Sequence, residues 1–225
     1  MSSLRSVYFL FLKELNQEVK QQNATLVILL YVLCSVFVSY LSFKRILSIN
    51  TWNALYWIIV LFGSFNATLR VFDKESDGRH LFLSQLAKPI EIFFAKSLFA
   101  SILSSLVGLI GFATFYFLMG LPVDSFSITQ LSWFLLVVFL GGFGLGSLLV
   151  LINGIAFKSG NSIGMASILG LPIAVPLMII LIRVSQHILA NQPLQVFSKY
   201  ILSLLTLDLI ILGLASLLFP YLWRD

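Results

Sequence analysis

Residues 129–153, TQLSWFLLVVFLGGFGLGSLLVLIN, form an apolar run without a single charged side chain. A helix needs about 20 largely apolar residues to cross a bilayer. A strand of a membrane β-barrel would instead alternate apolar and polar side chains over roughly 10 residues. Because this run is continuous and much longer than such a strand, it predicts a membrane-spanning helix.

Five further runs meet the same criterion: residues 24–43, 51–69, 97–119, 162–182 and 201–222. The composition agrees, since 59% of the 225 residues are hydrophobic and 10% are charged, whereas a soluble domain has about 25% charged residues. The sequence therefore predicts an all-α integral membrane protein with six transmembrane helices in a single domain over residues 1–225.

Residues 1–23 contain both acidic and basic side chains, so they lack the uninterrupted apolar segment of a cleavable signal peptide. Apolar residues recur there at helical spacing: Leu4, Val7, Tyr8, Phe11, Leu15 and Val19. The pattern predicts an amphipathic helix, which lies either on the membrane surface or against a partner.

The distribution of positive charge predicts the orientation of the spans. Ten basic residues would share one side: Arg5, Lys13, Lys20, Arg70, Lys74, Arg79, Lys88, Lys96, Lys158 and Arg224. Four would lie on the other: Lys44, Arg45, Arg183 and Lys199. Because Lys and Arg accumulate in cytoplasmic loops, both termini are expected in the cytoplasm. The aromatic residues expected at the two interfaces are Trp52, Tyr56 and Trp57 outside, and Tyr221 and Trp223 inside.

The stretch 70–89, RVFDKESDGRHLFLSQLAKP, is the densely charged part of the chain. Asp77 can cap a helix that Pro89 ends. Its apolar side chains gather on one side: Leu81, Phe82 and Leu86. About three turns are too few for a helix to be stable alone, so it must lie against lipid or a cytoplasmic protein. The acidic residues ahead of it favour a protein.

Residues 70–96 form the longest segment outside the spans, and they are fewer than the roughly 40 residues that fold unaided. Lys96, at the start of the third span, can extend its ammonium group to the lipid headgroups. The sequence contains no Gly-x-x-x-x-Gly-Lys-Ser/Thr phosphate-binding motif. We therefore expect no enzymatic activity, no nucleic-acid binding, and a partner subunit as the source of any ATP-driven work.

The order of features here resembles the cytoplasmic loop of six-span ABC-exporter permeases: an acidic run, Asp77-Gly78, a short Leu-containing helix, Pro89, and Ala95-Lys96 opening a span. The chain is most similar to the heme exporter protein B family (CcmB), the permease of the cytochrome c maturation ABC transporter. The similarity extends along most of the chain. It includes LGGFGLGSLLV (140–150) and SILGLPIAVPLMII (167–180), whose Leu-Pro-x-x-x-Pro pattern is the most family-specific feature.

The resemblance implies an ABC-2-like permease in the bacterial inner membrane. Its implied partners are a cytoplasmic ABC ATPase that carries ATP and Mg, other cytochrome c maturation membrane subunits, and a second permease chain, with heme as a candidate cargo. The ATPase-coupling segment would comprise Asp77, Gly78, Leu81, Phe82, Leu86, Pro89 and Lys96.

Family members often have Glu soon after the Asp-Gly, whereas Gly78 is followed here by Arg79-His80-Leu81-Phe82. Two alternatives stay open: a permease of another ABC-2-type exporter (for lipid, glycan or drug), and a membrane scaffold that transports nothing.

Two patterns inside the spans concern helix packing and bending. Gly142 and Gly146 are four residues apart, which indicates close helix packing within this chain or at a dimer seam. Pro172 and Pro176 each remove a backbone donor and predict a bend in the fifth span. We interpret the bend either as static or as a hinge that moves with ATP turnover.

Asp208 is the one acidic residue well inside a span, where it must be neutral, paired or facing water. It is interpreted as a hydrogen-bonded structural acid or as a contact to a partner subunit or transported group. His187, expected in the loop after the fifth span, is the one external candidate for a heme ligand. A lone loop His is more often solvated, and the single Cys34 supports neither a disulfide nor a metal cluster. No metal site is therefore expected.

Overall fold

The computed structural model describes residues 3–20, 22–44, 48–73, 87–123, 126–157 and 162–222. Within these ranges the chain forms seven helices and no strand. The helices are α1 (Ser3–Lys20), α2 (Gln22–Phe43), α3 (Ile49–Asp73), α4 (Pro89–Met119), α5 (Ile128–Phe157), α6 (Ser162–Leu189) and α7 (Leu194–Leu222).

Helices α2 to α7 are each long and apolar enough to cross a membrane. The predicted all-α membrane architecture with six candidate spans is thus confirmed, although several helix ends differ from the prediction. Helix α4 begins at Pro89 instead of residue 97, and α6 continues to Leu189 instead of ending at residue 182. Hydropathy detects only the apolar part of a helix, whereas backbone hydrogen bonding continues into the polar flanks.

One end of the bundle contains a cluster of buried aromatic rings, which we call the aromatic end. Its rings come from α3, α4 and α5: Trp52, Tyr56, Trp57, Phe112, Phe115 and Phe134. The first three are fully buried, so they do not face lipid, and their expected depth near the outer interface stays a prediction. The Trp52 indole N–H donates to the Gly120 carbonyl at 3.0 Å, and the Tyr56 hydroxyl to the Gly108 carbonyl at 3.1 Å. Because these polar groups find partners inside the protein, the rings need no contact with water.

Helices α4 and α5 share the most extensive contact in the bundle. A Cβ atom added at Gly142 would lie 2.5 Å from Ser105 Cα, and one added at Gly146 would lie 2.5 Å from Ser101 Cα. The two backbones can approach this closely only because α5 has no side chain at these positions. The structure therefore places Gly142-x-x-x-Gly146 at a seam within this chain, which we call the α4–α5 seam.

Two serine side chains of α4 add hydrogen bonds across the α4–α5 seam. Ser101 Oγ donates to the Phe143 carbonyl at 3.2 Å. Ser105 Oγ lies 3.3 Å from the Phe139 carbonyl and 2.8 Å from the carbonyl of Ser101 in its own helix. Small residues thus stabilise the seam in two ways. They permit close approach of the two helices, and the serine hydroxyls supply donors to backbone carbonyls.

Gly142→Ala is expected to lower the free energy of unfolding by about 1–3 kcal/mol, because the added methyl group overlaps the Ser105 backbone. Denaturant titration of the full chain in detergent micelles measures this change. Gly213→Ala is the matched control, since an added Cβ there has no atom within 4 Å, and it should change the stability by less than about 1 kcal/mol. Equal losses in the two variants would contradict the role of the seam.

Candidate functional site

The predicted coupling segment falls largely outside the described residues, since Asp77, Gly78, Leu81, Phe82 and Leu86 all belong to the range 74–86. Its last two members are described, and both belong to α4.

Pro89 begins α4, where its fixed backbone angle suits the first helical position and its missing N–H loses no bond. The Lys88 N–H donates to the Glu91 carboxylate at 3.3 Å, which satisfies a backbone donor just ahead of the helix. The start of α4 is therefore a well-defined helix terminus within the predicted coupling segment.

Lys96 lies about two turns into α4, and its side chain is buried. Its Nζ atom is 3.7 Å from Glu14 Oε1, and the two side chains are 2% and 6% exposed. Lys96 therefore does not extend toward the lipid headgroups, and that expectation is wrong. The physical reason is that a carboxylate from α1 reaches the ammonium group inside the protein, where opposite charges interact strongly.

Helix α1 packs against the start of α4 through apolar side chains that surround this ion pair. Leu10, Phe11 and Leu15 contact a cluster that includes Phe93 and Phe219. Helix α1 thus packs against the chain itself, and both its location on the membrane surface and its contact with a partner stay predictions. Tyr8 and Phe9 remain exposed on the other side of α1. We call this region, where α1 meets α4, the α1 end of the bundle.

Glu14 is the functional candidate that sequence reasoning missed. It is one of the charges that argue against a signal peptide in residues 1–23, and it lies three residues after Phe11 and four after Leu10, on the packed face of α1. A charge at an apolar position of an amphipathic helix is the signal that was available. Its partner was not predictable, because Lys96 is distant in sequence.

Asp208 occupies the centre of α7 and is 4% exposed. Neither carboxylate oxygen has a hydrogen-bond partner among the described residues. A Cβ atom added at Gly144 would collide with Oδ1, and the next side chain met there is Leu177 of α6. The structure therefore shows no structural hydrogen bond for Asp208. The carboxyl group also faces α5 and α6 rather than the outside of the bundle.

Neither Thr206, two residues before Asp208, nor Arg183 of α6 forms a hydrogen bond with the Asp208 carboxyl group. The Thr206 hydroxyl donates to the Ser203 carbonyl of its own helix at 2.9 Å. Arg183 is exposed near the end of α6, six residues beyond Leu177. Thr206 is close to Asp208 in sequence only, because residues two positions apart in a helix point in different directions.

Pro172 and Pro176 lie within α6, which continues from Ser162 to Leu189 across both of them. Both residues are exposed, whereas Ala174 and Leu177 face the core. The prolines therefore occupy the outward face of the helix. The hinge stays a hypothesis, and unchanged ATP-coupled activity after replacement of both prolines by Ala would contradict it.

At the aromatic end, a polar network links α3 to α6. The Trp57 indole N–H donates to Ser185 Oγ at 2.8 Å. Ser185 Oγ in turn lies 2.8 Å from Asn53 Oδ1, and the Asn53 amide donates to the Ile182 carbonyl at 2.8 Å. All three polar side chains are fully buried, so the network fixes two helices to each other by mutually satisfied groups.

His187 lies within the last turn of α6 and not in a loop, because that helix is longer than predicted. Its ring stacks on Tyr200 of α7, with centroids 5.0 Å apart and an angle of 27° between the planes. Over the described ranges, no group of three or more His, Cys, Asp and Glu side chains is placed to hold a metal ion. The geometry of His187 is that of a packing residue between two helices.

Comparison with known proteins leaves the family open. No protein-family model matches the chain, and no curated protein matches it. The resemblance to the heme exporter B family thus depends on the motif residues quoted above. The structure describes the residues of the Leu-Pro-x-x-x-Pro pattern but not most of the loop.

Lys96→Met is expected to lower the unfolding free energy by about 3–5 kcal/mol, because it removes the buried ammonium group and leaves the buried Glu14 carboxylate with only the partly exposed Lys13 beside it. The double variant Glu14→Leu with Lys96→Met should recover most of this loss, since an apolar pair of similar volume replaces a buried ion pair at little cost. Denaturant titration in detergent measures both.

Lys13→Met is the matched control. Lys13 is 3.6 Å from the same carboxylate but 29% exposed, so its loss should cost less than about 1 kcal/mol. A double variant that is no more stable than Lys96→Met alone would contradict the pairing.

Proposed function

We propose that this chain is the membrane-spanning subunit of an ATP-driven exporter, that a separate cytoplasmic subunit hydrolyses the ATP, and that the complex serves heme delivery in bacterial c-type cytochrome biogenesis. The observation that supports this proposal most directly is the buried ion pair between Glu14 and Lys96. It joins α1 to Lys96, the last member of the predicted coupling segment, so that two elements expected on the cytoplasmic side act on the bundle as one unit.

Transmission of movement would begin at the α1 end. A partner that presses on residues 78–88 displaces the start of α4, and α1 moves with it through the ion pair and the surrounding apolar contacts. Further along α4, Ser101 and Ser105 lie directly against the α5 backbone. Because closely packed helices cannot be compressed, a displacement of α4 is passed to α5.

The cargo assignment has a different basis. Heme delivery is favoured by the loop order and by the 140–150 and 167–180 segments that resemble the heme exporter B family. A permease for lipid, glycan or drug would use the same mechanics, and a scaffold would have the same packing but no ATPase. These alternatives differ in what the chain binds and in which process fails when it is removed.

Leu81→Asp and Leu86→Asp are each expected to weaken capture of a co-expressed cytochrome c maturation ATPase at least about tenfold. An unpaired carboxylate in an apolar contact costs more than the ~1.4 kcal/mol that a tenfold change requires. Ser84→Asp is the matched control, since its position is predicted on the polar side of the same helix. Equal capture by all variants would contradict docking, and no capture by the wild type would favour the scaffold.

Deletion of the chain tests the cargo separately. We expect loss of covalently bound heme from c-type cytochromes, measured by heme staining of membrane fractions, with restoration by the wild-type chain. An unchanged cytochrome pool, together with retained ATPase capture, would favour an exporter of another substrate.

A further inference from the structure

Asp208 is placed where an ionised carboxylate has no compensation. It stands at the midpoint of α7, which runs from Leu194 to Leu222, so both ends of the span are about 20 Å away. Its oxygens have no hydrogen-bond partner among the described residues. A buried carboxylate normally has a positive charge or several donors beside it, so the group calls for another explanation.

The space for the carboxyl group is created by a glycine. Gly144 of α5 faces Asp208 so closely that any side chain at 144 would occupy the position of Oδ1. Its neighbours in the same run have other contacts, since Gly142 faces Ser105 and Gly141 faces Leu181. Because it has no side chain, Gly144 thus leaves room for one polar group at the centre of the span.

No charged side chain on the packed elements reaches this site. Helices α4, α5 and α6 contact α7, and α5 has no charged or titratable residue along its whole length. The titratable and charged residues of the other elements lie toward the helix ends: Glu91, Lys96 and Tyr116 on α4, Arg183 and His187 on α6, and Lys199, Tyr200 and Tyr221 on α7. Gly144 lies directly against the carboxyl group, and the apolar Leu177 lies beside the same glycine.

A proton is the ligand that satisfies these constraints. It removes the charge without requiring any additional space, which the close approach of Gly144 does not offer. The resulting O–H can donate to a carbonyl of the preceding turn, as the hydroxyls of Ser203 and Thr206 do on the same helix. A metal cation would need several oxygen ligands, and Leu177 and Gly144 supply no side-chain oxygen.

We propose that Asp208 is a proton-binding site, and that α7 packs against Gly144 and Leu177 as seen here only while the carboxyl carries its proton. Movement that opens the contact between α7 and Gly144 to water allows the proton to leave. When the contact closes again, the carboxyl group takes up a proton. The O–H bond is the only bond formed or broken, and water is the donor and acceptor. This inference is independent of ATP, heme or any partner, so it stands or falls separately from the proposed function.

Infrared spectroscopy of the full chain in phosphatidylcholine vesicles tests the proposal. At neutral pH, where ordinary Asp and Glu side chains are ionised, we expect a carbonyl band of a protonated carboxylic acid that is absent from Asp208→Asn. Carbon-13-labelled aspartate should shift this band in the wild-type chain, which identifies it as aspartic acid without relying on the variant. A neutral-pH spectrum without an aspartic acid band would overturn the proposal.

The pH dependence of stability gives a second readout. The packed form binds a proton that the unfolded form, with its carboxyl in water, releases more readily. The stability of the wild type in detergent should therefore fall as the pH rises from the ordinary titration range of an aspartic acid, where the unfolded form loses its proton, up to the pH at which the infrared band disappears, where the packed form loses its own proton and the decline ends. Asp208→Asn, a neutral side chain of the same shape, should lack this decline. An identical decline in Asp208→Asn would overturn the link between proton binding and packing.

Discussion

The architecture depends on the backbone-to-backbone approach of α4 and α5. Lipid tails are as apolar as leucine side chains, so burial of apolar surface does not by itself hold spanning helices together. What distinguishes this seam is that Gly142 and Gly146 remove the side chains between two backbones, while Ser101 and Ser105 direct hydroxyls to carbonyls across it. The remaining helices are then arranged around this pair, α3 and α6 at the aromatic end and α1 at the other.

Buried ionisable side chains are accommodated in two different ways along the bundle. At the α1 end, the Glu14 carboxylate lies 3.7 Å from the Lys96 ammonium group, so the two charges compensate each other. At the centre of α7, Asp208 has no such partner and fits against a glycine. The first arrangement connects two elements firmly, whereas the second makes the contact dependent on protonation. The ion pair thus attaches α1 to α4, whereas the single carboxyl group of Asp208 controls the packing of α7.

The sequence was sufficient for the six spans and the all-helical class, because continuous apolar runs have few structural interpretations in a membrane protein. It also singled out Gly142, Gly146 and Asp208, since glycine spacing and an acid in a span are conspicuous. It was insufficient wherever the answer depended on a residue far away in the chain. Glu14 could not be paired with Lys96, and Trp52, Tyr56 and Trp57 were assigned to the lipid interface because their acceptors, such as Gly108 and Gly120, become neighbours only after folding.

The network of Trp57, Ser185 and Asn53 has a mechanical consequence. Its hydrogen bonds fasten α3 to α6 near one surface of the membrane, and the fully buried rings of Trp52 and Phe115 fill the space beside it. Groups this well satisfied resist separation, so we expect this end of the molecule to stay closed and act as a pivot. If the α1 end is displaced as proposed, the helices should separate most at that end.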